Sequence, residues 1–105
     1  MNAEQGISVL VVEDEGIVAQ AHAEYVRRSP GFTLAGVVPT GTEAITFLNA
    51  SAVDLVLLDM NLPDLHGLDV LRRIRGAGIP ADVIAITAVR DLAVVRGAMS
   101  AGIAA

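Results

Sequence analysis

Short apolar runs alternate along the chain with segments in which apolar residues recur at helical spacing. The runs are rich in Val, Ile and Leu, which is typical of buried strands. The segments between them have the spacing and end signals of helices. The sequence predicts strands at Ile7–Val12, Leu34–Val38, Asp54–Leu58 and Val83–Ile86, and helices at Glu15–Arg28, Thr40–Ala50, Leu68–Arg75 and Asp91–Ala101.

The order of these elements is strand, helix, strand, helix throughout. Such alternation predicts an α/β domain, with a parallel sheet, helices on both faces and right-handed crossovers. A chain of 105 residues fits one such domain. The first helix is predicted from the apolar residues that recur along it, which are Ile17, Val18, Ala21, Tyr25 and Val26.

The composition supports this fold class. Hydrophobic residues make up 53% of the chain but aromatic residues only 3%, so Val, Ile, Leu and Ala must build the core. Apolar stretches such as 83–89 are far shorter than the roughly 18 residues of a membrane span. The first residues lack the basic start and apolar stretch of a signal peptide. We therefore expect a cytoplasmic protein that has no membrane partner.

Charge and cysteine content exclude several classes of function. The chain has no cysteine, which rules out disulfides and thiolate metal sites. Its net charge of −5 argues against direct nucleic-acid binding, which requires a basic face. Nucleotide-binding glycine motifs are absent as well.

Reactive side chains follow three of the predicted strands. Glu13 and Asp14 come after the first strand, Asp59 ends the third and Thr87 follows the fourth. Ligands of open parallel sheets bind beyond the carboxyl ends of the strands, so these residues should converge at one edge.

Carboxylates that lie close together repel one another, so they either retain a proton or bind a cation. Oxygen ligands of this kind suit Mg²⁺, which is usually shared with a phosphate. One carboxylate would then remain free as a nucleophile, and Thr87 could donate a hydrogen bond to a phosphoryl oxygen.

Each residue also has a structural interpretation. Asp14 could cap the helix that follows it, Asp59 could be a turn residue, and Thr87 alone would be structural. Their convergence on one sheet edge favours a functional site.

Three segments resemble the signature segments of receiver domains of two-component response regulators. Residues 9–15 (VLVVEDE) are similar to the family's first strand and acidic pair, and residues 55–67 (LVLLDMNLPDLHG) to the segment around its phosphorylated aspartate. Residues 84–88 (IAITA) are similar to the strand with its switch threonine. Residues 22–27 (HAEYVR) and 59–63 (DMNLP) most resemble the corresponding segments of regulators of citrate and dicarboxylate metabolism.

This resemblance implies a flavodoxin-like parallel sheet of order 2-1-3-4. Asp59 would accept a phosphoryl group from a sensor histidine kinase, and Thr87 would move toward it. Asp14 would bind Mg²⁺ directly, Glu13 through a water, and Asn61 through its backbone carbonyl. His66, by contrast, is expected to be a solvent-facing loop residue.

The chain departs from the family in two respects. Glu13 replaces the commoner aspartate, and the chain contains no lysine, whereas the family has one at the end of its fifth strand. The sequence ends where that strand would begin, so we expect residues 1–105 to be a C-terminally truncated receiver domain that lacks the fifth strand and helix. An uncovered fourth strand would lower stability or favour a homodimer.

The resemblance implies a signalling switch, at most slowly self-phosphorylating and self-dephosphorylating, that controls a DNA-binding output domain of the parent protein. One alternative is a phosphatase-like hydrolase, but such enzymes place a second acid where this chain has Asn61. Another alternative is a receiver fold that serves as an interaction module without phosphorylation.

Overall fold

A four-stranded parallel sheet is the centre of the fold. The structure, a computed structural model, describes residues 6–86. The elements are β1 (Ile7–Val12), α1 (Gly16–Arg28), β2 (Phe32–Val38), α2 (Gly41–Ala50), β3 (Leu55–Asp59), α3 (Gly67–Gly76) and β4 (Asp82–Ile86). The strand order is β2-β1-β3-β4, and all three neighbouring pairs are parallel, which confirms the predicted topology.

The predicted boundaries hold to within two residues. The largest difference is at β2, which begins at Phe32 rather than Leu34. Gly31 has a φ of 83° and turns the chain directly into the sheet, so that Phe32 already pairs with Ile7. Three predictions concern residues outside the described range. They are the helix at 91–101, the position of Thr87 and the lack of a fifth strand.

The central strands β1 and β3 are buried on both faces because their side chains alternate between two hydrophobic clusters. Leu10, Val12, Val56 and Leu58 face one cluster, which α2 and α3 cover. The alternate residues of the same strands face a second cluster, which includes Val26 of α1. Helices therefore cover both faces of the sheet, as the composition predicted.

The buried face of α1 differs from the apolar spacing that predicted the helix. Its buried residues are Ala19, His22, Ala23 and Val26, which follow the i, i+3, i+4, i+7 pattern. Ile17, the largest apolar residue near its start, is 86% exposed. Two alanines on the inner face place little side-chain bulk between the helix and the sheet. Among helices of the described range, none has the length and apolar character to cross a bilayer.

Candidate functional site

The register of the sheet brings the ends of β1 and β3 together. Val12 lies opposite Leu58, so the next residues, Glu13 and Asp59, are neighbours at the carboxyl end of the two strands. The backbone amide of Glu13 donates to the carbonyl of Val38 at 3.0 Å, which holds this residue against the end of β2. The carboxyl ends of β1, β2 and β3 therefore fix the backbone of the site.

Three carboxyl groups converge at this edge, as the sequence predicted. Glu13, Asp14 and Asp59 each offer an oxygen atom, and these atoms all lie within 4.8 Å of one another. Glu13 is buried, Asp59 is half-buried and Asp14 is exposed, so the cluster opens to solvent on one side. A set made only of carboxylate oxygens, accessible from water, fits a hard divalent cation such as Mg²⁺.

The pKa of Glu13 reflects the burial of its carboxyl group and the negative charges beside it. Burial, together with a hydrogen bond to Asp59 and the charges of Asp59 and Asp14, raises the pKa of Glu13 to about 7. The Glu15 amide, which donates to Glu13 Oε2 at 3.1 Å, opposes the rise only in part. The site can therefore hold a proton near neutral pH, and a cation would remove the need for it.

Asp59 stands at the start of a folded loop that runs from Met60 to His66. Its Oδ1 accepts a hydrogen bond from the Asn61 amide at 3.0 Å. Asn61 also forms an isolated bridge with His66, and the Gly67 amide donates to the Met60 carbonyl at 3.1 Å. The loop therefore closes on itself directly beside the carboxyl group of Asp59.

Gly67 is required where the loop closes. A Cβ atom at this position would lie 2.7 Å from the Cα atom of Met60, which is closer than real side chains approach backbone. Only glycine lets the start of α3 pack against Met60 in this way.

The structure assigns local roles to two residues near the carboxyl cluster. Glu15, rather than Asp14, occupies the N-cap position of α1, which argues against the interpretation of Asp14 as a cap. His66 is exposed, as expected, and its Nδ1 accepts a hydrogen bond from the Leu68 amide at 3.1 Å. His66 therefore caps α3 rather than joining the carboxyl cluster.

Sequence reasoning missed two side chains near the site. His22 is only 5% exposed, and its pKa is lowered by burial, an effect that the charge of Asp59 partly opposes. Its spacing from Ala19 and Val26 is the signal that could have placed it on the inner face of α1. The second side chain is that of Asp64, which binds residues of α2. Because α2 is distant from Asp64 in sequence, no local pattern predicts this contact.

The sequence matches a known family over most of its length. The family described as the response regulator receiver domain matches residues 9–105. A probable C4-dicarboxylate response regulator, DctR, of Halalkalibacterium halodurans is 33% identical over 103 residues, which are 98% of this chain and 45% of the relative. The transcriptional regulatory protein CitT of the same organism is 37% identical over 97 residues, 90% of this chain and 42% of the relative. The chain thus spans less than half the length of these curated relatives.

Solved structures have the same fold. The response regulator MaeR bound to beryllium trifluoride has a TM-score of 0.73 and 32% identity, and the match covers 92% of this chain and 80% of that one. The receiver domain of a putative Luxo repressor protein from Vibrio parahaemolyticus has a TM-score of 0.69 and 33% identity, and covers 87% of this chain and 72% of its own.

Proposed function

The chain belongs to the response regulator receiver domain family of two-component systems, and we propose that its Asp59 is the phosphoacceptor. The observation that carries this proposal is the cluster of Glu13, Asp14 and Asp59, whose oxygen atoms lie within 4.8 Å of one another. Asp59 is half-buried and Asp14 of the same cluster is exposed, so a donor can reach the cluster from solvent.

In the proposed transfer a carboxylate oxygen of Asp59 attacks the phosphorus atom of a phosphohistidine on a sensor kinase. The bond between phosphorus and the histidine nitrogen breaks, and the nitrogen keeps the electron pair and takes a proton. Asp59 thereby becomes an acyl phosphate. The added negative charge is the signal that the domain passes on.

Glu13 and Asp14 are the residues that would hold Mg²⁺, Asp14 directly and Glu13 through a water, together with Asp59. The backbone carbonyl of Asn61 is the remaining proposed protein ligand. The bound cation would supply neutralising charge for the phosphoryl oxygens. Thr87, which follows Ile86 in the sequence, would donate its hydroxyl hydrogen to one of those oxygens after phosphorylation.

The partners follow from the family rather than from the geometry. We assign residues 1–105 to a single receiver domain, which receives its signal from a sensor histidine kinase in the cytoplasm. Relatives named as transcriptional regulators are more than twice as long as the match, which supports a DNA-binding output domain in the parent protein. The acidic receiver domain itself would contact neither DNA nor membrane. The resemblance to regulators of citrate and dicarboxylate metabolism gives the metabolic context, and the relative named as a probable C4-dicarboxylate response regulator supports it.

Intact mass spectrometry after incubation with Mg²⁺ and a small-molecule phosphodonor tests the proposal. The unaltered protein should gain the mass of one phosphoryl group, and Asp59→Asn should gain none. Omitting Mg²⁺ should abolish the gain of the unaltered protein. If Asp59→Asn also gains the mass of a phosphoryl group, Asp59 is not the phosphoacceptor. If neither protein gains it, the result favours an interaction module that is not phosphorylated.

A further inference from the structure

The loop that follows Asp59 is bound to the beginning of α2 by one carboxylate. Asp64 Oδ1 accepts a hydrogen bond from the Gly41 amide at 2.8 Å. Its Oδ2 accepts from the Thr42 amide at 2.9 Å and from the Thr42 hydroxyl at 2.7 Å. Both carboxylate oxygens therefore accept hydrogen bonds from the first two residues of α2, which is distant from Asp64 in the sequence.

These bonds complete the cap of α2. The Thr40 hydroxyl oxygen accepts from the Glu43 amide at 3.1 Å, and the Thr40 carbonyl accepts from the Ala44 amide at 3.1 Å. Asp64 satisfies the two amides that Thr40 does not reach, and it brings negative charge to the positive end of the helix dipole. The hydrogen bonds from Thr42 and Gly41 lower the pKa of Asp64 to about 2, so the carboxylate is ionised at neutral pH.

Apolar packing closes the same junction. A Cβ atom at Gly41 would lie 2.8 Å from Val70 Cγ2 and 3.0 Å from Leu65 Cδ1. The start of α2 therefore lies directly against the loop residue that follows Asp64 and against α3. Because position 41 carries no side chain, the loop and α2 approach closely enough for the Asp64 hydrogen bonds to form.

The segment held in this way is the one that carries the proposed metal and phosphoryl chemistry. Asp59 and Asn61 are joined by the 3.0 Å hydrogen bond, and Asn61 is bridged to His66 across the loop. In the sequence, Asp64 lies between Asn61 and His66, the two residues that form the bridge. Its carboxylate hydrogen-bonds outside the loop, to a separate helix.

We propose that Asp64 is a positioning residue: by binding the first turn of α2 it holds the loop in the geometry that presents the Asn61 carbonyl and the Asp59 carboxylate to a divalent cation. The proposal rests on the function proposed above. It adds that the metal affinity of the site depends on α2, a helix that contributes no ligand.

The test measures Mg²⁺ binding by isothermal titration calorimetry, with the unaltered protein and an Asp64→Ala variant. Loss of the three hydrogen bonds should raise the dissociation constant for Mg²⁺ by about tenfold, as when groups that orient metal ligands are removed. The Mg²⁺ concentration for half-maximal phosphorylation should rise by the same factor. The maximal rate at saturating Mg²⁺ should change by less than about threefold, because the nucleophile itself is intact.

Matched variants separate positioning from simple loss of stability. Thr40→Ala removes a cap bond from the same helix end but leaves the loop attached, so it should lower the urea midpoint of unfolding and leave Mg²⁺ affinity within about twofold. Asp64→Asn keeps an oxygen for the Gly41 amide but turns an amide donor toward Thr42. Its Mg²⁺ affinity should fall between those of the unaltered protein and Asp64→Ala.

Two results would overturn the proposal. Equal Mg²⁺ affinity in Asp64→Ala and the unaltered protein would show that the loop does not depend on this contact. Equal weakening in Asp64→Ala and Thr40→Ala would show that the effect is general destabilisation. If the unaltered protein binds no Mg²⁺, the proposed function fails as well, and this outcome is distinct from the first two.

Discussion

Carboxyl oxygen atoms of Glu13 and Asp59 lie within 4.8 Å of each other at the carboxyl edge of the sheet. Val12 and Leu58, which precede these residues, lie opposite each other in the sheet, so the contact follows from strand register. Burial, together with the neighbouring negative charges of Asp59 and Asp14, raises the pKa of Glu13 to about 7. One positive charge, from a proton or from a cation, relieves this repulsion.

Stability without divalent cations should depend on pH through Glu13. Its pKa is raised from 4.5 to about 7 on folding, so the folded state binds the proton more tightly than the unfolded state. The resulting stabilisation is fully present below about pH 4.5 and is lost as pH rises toward 7. In EDTA, the urea midpoint of unfolding should therefore contain a component that falls between about pH 5 and pH 8.

Glu13→Gln is the control for that component. The amide is neutral at every pH, so this variant should lack the fall and should be more stable than the unaltered protein near pH 8. Equal pH profiles for the two proteins would show that Glu13 does not carry the proton.

Mg²⁺ and the Glu13 proton should compete. Below about pH 7, binding of the cation has to release one proton, so Mg²⁺ affinity should fall by about tenfold for each further pH unit. Above that pH the affinity should level off. Calorimetric titrations in buffers of different ionisation enthalpy would count the released protons directly. If Mg²⁺ binding near pH 6 released no proton, the proton and the cation would bind at separate sites.

Gly67→Ala should disrupt the phosphoacceptor loop. The added Cβ would lie 2.7 Å from the Cα atom of Met60, so backbone has to move, at a cost of about 1–3 kcal/mol. Mg²⁺ affinity should fall with it, because the loop carries Asn61. Gly76→Ala is the matched control: no atom lies within 4 Å of a Cβ there, and alanine in this last residue of α3 should be neutral or stabilising by about 0.5–1 kcal/mol. Similar urea midpoints for both variants would contradict the tight contact.

The inner face of α1 can be tested with two truncations. Val26 is fully buried, so Val26→Ala should lower the free energy of unfolding by about 2 kcal/mol. Ile17 is 86% exposed, and Ile17→Ala should change that free energy by less than about 0.5 kcal/mol. Urea unfolding of both variants measures the two changes in the free energy of unfolding. A larger decrease for Ile17→Ala than for Val26→Ala would mean that α1 is rotated about its axis.

Local patterns predicted the strands, their parallel arrangement and the carboxyl cluster, whereas the strand order was implied by the resemblance to receiver domains. β-branched runs indicate the strands, and residues that follow parallel strands meet at one edge. The buried face of α1 was harder to recognise, since Ala19 and Ala23 give a weaker hydrophobic signal than the exposed Ile17. The contact between Asp64 and Gly41 joins segments that are separated in sequence, so it depends on how α2 and α3 pack.

The most direct test of Asp59 as phosphoacceptor is borohydride reduction of the phosphorylated protein, followed by peptide mass mapping. Hydride converts an aspartyl phosphate to homoserine, which marks the modified residue chemically. We predict homoserine at position 59 and nowhere else, dependent on both Mg²⁺ and the phosphodonor. Reduction at Asp14 or Glu13, or a phosphorylated protein that borohydride leaves unchanged, would contradict the assignment.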